Sequence, residues 1–244
     1  MEADSYLAQL RLEGGRLAAA ARAAPTAPVP SCPAWDMPQL LAHIASIHRW
    51  VAEILRSKAT ARRARSKAGA GVAFAALAAA YDEGLEALVA ALAATDPDEL
   101  VWNWRDAGVA PALFWFRRMA QETAVHRWDA EAAAGSASPF DPALAIDGID
   151  EFLGIVAATV ARAPIEGLVG SLALVASDAD ASWHLELAPG SVELRSSIAP
   201  QATVRAPVSD LYLWLLHRIP PDAASVAVAG ARAPVDAWGL VVFD

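Results

Sequence analysis

Glu122 and His126 stand four residues apart in a stretch with helical periodicity, so both side chains project from one side of a predicted helix. Trp115 and Met119 precede them at the same spacing, and positions 115, 119, 122 and 126 form one stripe. Two polar groups in an otherwise apolar stripe need partners, because burying them unpaired is costly. A divalent metal satisfies both, provided that another helix supplies a third ligand. Residues 40–48 offer it. There Leu40, Ile44, Ile47, Val51 and Ile54 make an apolar helix face with His43 at one edge and His48 at the other. Helical-wheel geometry favours His43 by a modest margin. Two imidazoles and one carboxylate leave a coordination position open for water or substrate, as in catalytic zinc sites. The plainer alternative is a buried, hydrogen-bonded Glu122–His126 pair.

The other chemistry-bearing residues are weaker candidates. Cys32, beside Pro33, reads as a packed small residue rather than a nucleophile. His184 alternates with apolar strand residues and is expected on an exposed face. His217 and Arg218 end a strongly apolar helix, where cations are favourable in any case. The chain has no Gly-x-Ser-x-Gly elbow and no dinucleotide-binding glycine fingerprint.

Composition narrows the function further. A net charge of −9 argues against a nucleic-acid backbone as partner. No apolar run is long and charge-free enough to span a membrane, and the acidic start lacks a signal-peptide pattern. The single cysteine rules out an internal disulfide and a multi-cysteine zinc site, and fits the cytoplasm. At 56% hydrophobic residues, much of it alanine, the chain has ample material for a helical core.

Four elements must position these residues. A first helix is predicted over about residues 5–24, weakened by Gly14 and Gly15. A proline-rich connection follows, kept extended by Pro25, Pro28, Pro30 and Pro33. Asp36 then caps a second helix, which carries His43 to about Arg56. Residues 58–67 read as a basic, solvated loop rather than a phosphate site. A third helix covers about residues 72–94, residues 101–105 are too short to classify, and a fourth helix runs over about 111–134. Such helices suggest an up-and-down four-helix bundle. The linker-like residues 135–142 mark a boundary, giving domains 1–138 and 139–244. Beyond it a helix over 146–161 leads into strands at 171–177, 183–187, 191–196 and 202–205. A helix at 209–217, a strand at 225–229 and a final helix at 235–242 close an α+β domain. The predicted class is mainly α with a smaller C-terminal α+β domain.

Four stretches carry a resemblance: Cys32-Pro33-Ala34-Trp35-Asp36, Leu41-Ala42-His43-Ile44, the run from Glu122 through His126-Arg127-Trp128-Asp129, and the run from Asp210 to His217-Arg218. In this order they resemble the mycothiol-dependent maleylpyruvate isomerase family, within the DinB-like metal-binding bundle superfamily. The resemblance implies a DinB-like four-helix bundle followed by a smaller α+β domain. It also implies a metal triad of His43, Glu122 and His126, which selects His43 over His48, and a catalytic Arg218. The family has glycine before that arginine where this chain has His217. The implied activity uses zinc or another divalent metal, with mycothiol as thiol cosubstrate, for isomerisation or S-transfer on a small electrophile. Arg218 would stabilise a substrate carboxylate or developing negative charge, and Trp35, Trp50 and Trp102 would wall the pocket. The competing expectation is a non-catalytic metal- or ligand-binding protein of the same fold.

Overall fold

The computed structural model describes residues 1–66, 71–105, 108–195 and 199–242. The chain divides into two compact units, Met1–Ser138 and Pro139–Asp244. The first holds four long helices: α1 (Ala3–Ala23), α2 (Met37–Arg56), α3 (Phe74–Ala93) and α4 (Leu113–Ala133). Between α3 and α4, β1 (Leu100–Trp102) and β2 (Val109–Pro111) pair as a two-stranded antiparallel ribbon. The second unit runs α5 (Pro142–Arg162), β3 (Gly170–Ala176), β4 (Ser182–Ala188), β5 (Ser191–Leu194), β6 (Ala202–Ala206), α6 (Val208–Leu215), β7 (Ala227–Gly230) and α7 (Ala233–Trp238). The class is thus mainly α with a C-terminal α+β part, as the periodicity predicted. The expected ends of the basic loop at Lys67 and of one strand at Ser196 lie outside the described residues.

Local chemistry explains where α2 begins, and α2 carries one candidate ligand. The Asp36 carboxylate accepts from the Gln39 backbone N–H at 2.9 Å, and Gln39 Oε1 accepts from the Asp36 N–H at 2.7 Å. This reciprocal capping box follows a connection folded on itself. There the Val29 N–H donates to the Trp35 carbonyl at 3.0 Å, and the Trp35 N–H to the Cys32 carbonyl at 2.8 Å.

Helix directions follow from side-chain pairs. Arg49 and Arg56 of α2 donate to the carbonyls of Ala80 and Ala87 of α3, an equal step in the same sense, so α2 and α3 run parallel. Arg127 of α4 meets Glu13 of α1, and Glu131 meets Arg16, so α1 and α4 run parallel too. Between the pairs the sense reverses: His43 of α2 lies by Glu122 of α4, and Trp50 by Trp115. The four helices form the expected bundle, but not in simple up-and-down order: α2 and α3 are parallel neighbours, which their long connection allows. The Trp50 indole N–H donates to the Arg63 carbonyl, and the Trp102 N–H to that of Ala59. Those bonds fasten the described part of that connection.

The bundle core is built from Leu17, Met37, Leu40, Leu41, Ile44, Leu77 and Tyr81. Gly14, expected to weaken α1, is where α1 and α3 approach closely. A Cβ there would stand 2.6 Å from a methyl of Leu85, and the Gly14 carbonyl accepts from the Tyr81 hydroxyl at 3.0 Å.

In the second unit the sheet order is β5-β4-β3-β6-β7, with β3 and β6 parallel and the other neighbours antiparallel. Leu172, Leu174, Trp183, Leu185, Leu187 and Val204 form its buried face, and helices α5, α6 and α7 pack against the strands. His184 is half-buried, between the buried Trp183 and Leu185, and pairs across the ladder with Ala173. Its expected exposure is thus partial, because neighbouring strands flank it on both sides. No described helix is long and apolar enough to cross a membrane.

Candidate metal centre

On α4 the predicted stripe is real. Trp115, Met119 and His126 are buried, and Glu122 retains a partly accessible side chain. Helix α2 brings His43 to the same place. His43 Nε2 and His126 Nε2 each lie 3.4 Å from Glu122 Oε1. One ligand atom from each of the three residues falls within 4.8 Å of the others, and among the described residues this is the group of His, Cys, Asp and Glu so gathered. For metal–ligand bonds of about 2.0–2.1 Å, tetrahedral donors stand about 3.3–3.4 Å apart. The two Glu122–histidine separations match that edge, so the donors fit a small divalent cation, and their N,O chemistry suits zinc.

Each donor is oriented by a neighbour. Arg118, one turn before Glu122, donates through Nη2 to Glu122 Oε2 at 3.1 Å. That leaves Oε1 facing the two imidazoles. His126 Nδ1 lies 2.9 Å from Asp129 Oδ2, and the Ser31 hydroxyl donates to Asp129 Oδ1 at 2.5 Å. A carboxylate accepts and does not donate, so a ring proton sits on Nδ1 and Nε2 turns to Glu122. The Trp35 ring covers both histidines, with centroids 4.6 Å from His43 and 5.9 Å from His126.

Electrostatics hold the cluster charged. Burial alone would raise the Glu122 pKa, but His126, His43 and Arg118 outweigh it and keep the carboxyl well below its usual range. Burial alone would lower the His126 pKa, yet the hydrogen bonds to Asp129 and Glu122 push it up to about 9. In the metal-free protein a proton therefore occupies the place that a cation would take.

Residues 7–131 match the family model described as the mycothiol maleylpyruvate isomerase N-terminal domain, and residues 143–237 match the model of that family's C-terminal domain. The chain belongs to the mycothiol-dependent maleylpyruvate isomerase family. Two solved structures are similar to it in fold. The crystal structure of a mycothiol-dependent maleylpyruvate isomerase superposes with a TM-score of 0.67 at 12% identity, covering 94% of this chain and 93% of that one. A histidine-to-alanine mutant of such an isomerase gives 0.65 at the same identity and coverage. At that identity the likeness is one of fold. A search of curated protein sequences gave no match.

His48, the other histidine weighed as a ligand, is fully buried, with Nε2 2.9 Å from the Thr123 hydroxyl and its ring against Tyr81. Burial lowers its pKa from 6.5 to about 3, so it folds neutral. An unfolded chain takes up that proton near pH 6.5, whereas the folded one does not until about 3. Stability attached to His48 is thus complete above 6.5 and lost as the pH falls. Metal-free protein is expected to lose roughly 2 kcal/mol between pH 7 and 5 from this group. Urea titrations at both pH values check it: the His48→Leu variant should show a clearly flatter dependence than the wild type.

The aromatic residues divide. Trp35 borders the triad. Trp50 and Trp102 instead cluster with Trp115, at centroid distances of 5.6 Å from Trp50 and 6.4 Å from Trp102. Trp50 lies two turns beyond His43 on α2, and Trp115 two turns before Glu122 on α4. The cluster therefore continues the same helix–helix groove about 10 Å along the bundle. Cys32 is half-buried on the connection that carries Trp35.

In the second unit, Arg218 follows the C-terminus of α6. The Arg218 N–H donates to the Leu213 carbonyl at 2.8 Å, and the His217 N–H to that of Trp214 at 3.0 Å. This is a Schellman cap, and it puts His217 at φ 58°, the position that favours glycine. A non-glycine residue there costs about 1–2 kcal/mol. The His217 ring offsets part of that by donating through Nε2 to the Val241 carbonyl at 2.7 Å. Arg218 Nη1 donates to the Leu216 carbonyl at 3.0 Å.

Proposed function

We propose that this protein is a metal-dependent enzyme that activates a low-molecular-weight thiol, mycothiol, for isomerisation or S-transfer on a small electrophile. The observation that carries the reading is the convergence of His43, Glu122 and His126 within 4.8 Å in a chain of this family. A divalent ion held there, zinc by its donor set, would supply Lewis acidity, lowering the pKa of a thiol in the open position. The residues supply the rest. Glu122 stays ionised, Arg118 balances its charge, and Trp35 covers one side of the histidines. Arg218 would hold a substrate carboxylate through its planar fork. The support for that role is its match to the family's arginine at the end of the corresponding helix. The single cysteine and the acidic chain fit a cytoplasmic enzyme with small-molecule partners.

The test is consumption of maleylpyruvate and other small electrophiles by zinc-loaded protein, with mycothiol compared against glutathione, cysteine and coenzyme A. Mycothiol-dependent turnover supports the reading. Bound metal without turnover by any thiol would favour a non-catalytic metal- or ligand-binding protein. Arg218→Ala is expected to lower kcat/KM by about 10²–10³ while metal content stays at the wild-type level.

A further inference from the structure

We propose that Asp129, clamped by Ser31, is the positioning residue for the metal ligand His126, and that the α1–α2 connection is thereby part of the metal site. The inference rests on the metal reading above and concerns a residue that touches neither metal nor substrate. Asp129 is fully buried, yet its two oxygens have different tasks. Oδ2 takes the His126 Nδ1–H at 2.9 Å, and Oδ1 takes the Ser31 hydroxyl at 2.5 Å. One oxygen fixes the imidazole, and the other is fixed by the connection.

Three consequences follow from that geometry. First, the Nδ1–H···Oδ2 bond sets the tautomer of the neutral, ligating ring: with one proton held on Nδ1, Nε2, which lies 3.4 Å from Glu122 Oε1, is the nitrogen that gives up its proton and presents a lone pair. Without the acceptor the neutral ring is no longer bound to keep its one proton on Nδ1, and a ring that carries that proton on Nε2 cannot ligate through it. Second, the bond sets the ring plane. Asp129 lies one turn beyond His126 on the same helix, so the helix backbone fixes the acceptor relative to the ligand. Third, the negative charge behind the ring makes Nε2 more basic, as carboxylates behind zinc-bound imidazoles do. Ser31 adds a constraint from outside the helix. It lies in the same folded connection as Trp35, whose ring rests on His43 and His126. The connection thus reaches the site twice, once through the Ser31–Asp129 hydrogen bond and once through the indole.

The experiment compares zinc affinity, by competition with a chromophoric chelator, in the wild type, Asp129→Asn and Ser31→Ala, together with cobalt(II) absorption spectra at saturating metal and the pH profile of binding. Asp129→Asn keeps the shape and an acceptor but removes the charge. It is expected to weaken zinc binding about 10–100-fold and to alter the cobalt spectrum. Ser31→Ala is expected to weaken binding severalfold in the same direction. A wild type that binds zinc alongside an Asp129→Asn variant with unchanged affinity and spectrum would overturn the proposal. A wild type that binds no metal would instead overturn the metal reading itself. Should Asp129→Asn fail to fold, Ser31→Ala decides, and wild-type affinity and spectrum in that variant reject the clamp.

Discussion

Loaded with zinc and dialysed, His126→Ala is expected to retain no stoichiometric metal, while His48→Ala retains close to one equivalent. The triad has three protein donors, and His126 is the one held from behind by Asp129. Its loss leaves two donors, His43 and Glu122, both partly accessible to water. His48 has its Nε2 committed to Thr123 and its ring buried against Tyr81, so its removal touches packing and not ligation. The pH dependence follows from competition for one lone pair. His126 holds its proton up to about pH 9 in the metal-free protein, so uptake below that pH must expel it. Apparent affinity should therefore rise by up to about tenfold per unit from pH 7 towards 9 and level off above. Calorimetry in buffers of different ionisation enthalpy should register the released proton. Elemental analysis of the variants decides the ligand set: metal lost in His48→Ala but kept in His43→Ala would make the assignment wrong. If the wild type holds no zinc, Glu122 and His126 are a partly buried ion pair and nothing more.

Much of that site was legible because its members obey one period. Glu122 and His126 share a face with Trp115 and Met119, and helical spacing exposes such a stripe. The choice between His43 and His48 was harder, since both flank the same apolar face. What separates them in space is the partner. His43 faces Glu122, whereas His48 finds Thr123, one residue further along α4 and on its neighbouring side. The positioning of His126 by Asp129 and Ser31 was not legible, because Ser31 comes from a proline-rich connection whose folded path no periodicity encodes.

The fold shows the same division. Long helices announced themselves by period, and α2 by its Asp36 cap as well, whereas α5 begins at Pro142 behind an Asp141 cap, four residues before the expected start at 146. Strands β1 and β2 span three residues each, too short for an alternation to register. Helix direction is not written in apolar spacing either. The parallel run of α2 with α3 emerges only from pairs such as Arg49 with the Ala80 carbonyl. Helix α4 hid most. It is buried on nearly every side and includes Gln121, Thr123, Arg127, Asp129 and Glu131 among its buried residues, so its polar interior blurs the amphipathic pattern that a surface helix would show.

Arg127 is where that hidden interior has its largest expected effect on stability. Its guanidinium is fully buried. Nε donates to Glu13 at 2.5 Å, and Nη1 donates to Glu131 at 2.9 Å and to the Ser138 carbonyl at 2.6 Å. Glu131 also accepts from Arg16 Nε at 3.1 Å and from the Ser138 N–H at 3.0 Å. Burial alone would raise the Glu131 pKa, but Ser138, Arg127 and Arg16 bring it below its usual value. The network therefore ties α1, α4 and the last residue of the first unit, and at its centre the charges of Arg127 and Glu13 are shut off from water. Removing Arg127 alone takes the close counter-charge from Glu13, which is 1% exposed, and leaves it the longer 3.6 Å contact to the partly exposed Arg16. Arg127→Met should cost about 3–5 kcal/mol, the range for breaking one side of a buried pair. The double variant Arg127→Met with Glu13→Met should cost clearly less than the sum of the single changes, because no buried carboxylate is left at position 13 without its close partner and methionine fills both spaces. Urea unfolding of the metal-free variants at neutral pH reads the coupling. An Arg127→Met cost below about 1 kcal/mol, or strictly additive single changes, would mean that water reaches the network and that its charges never needed one another.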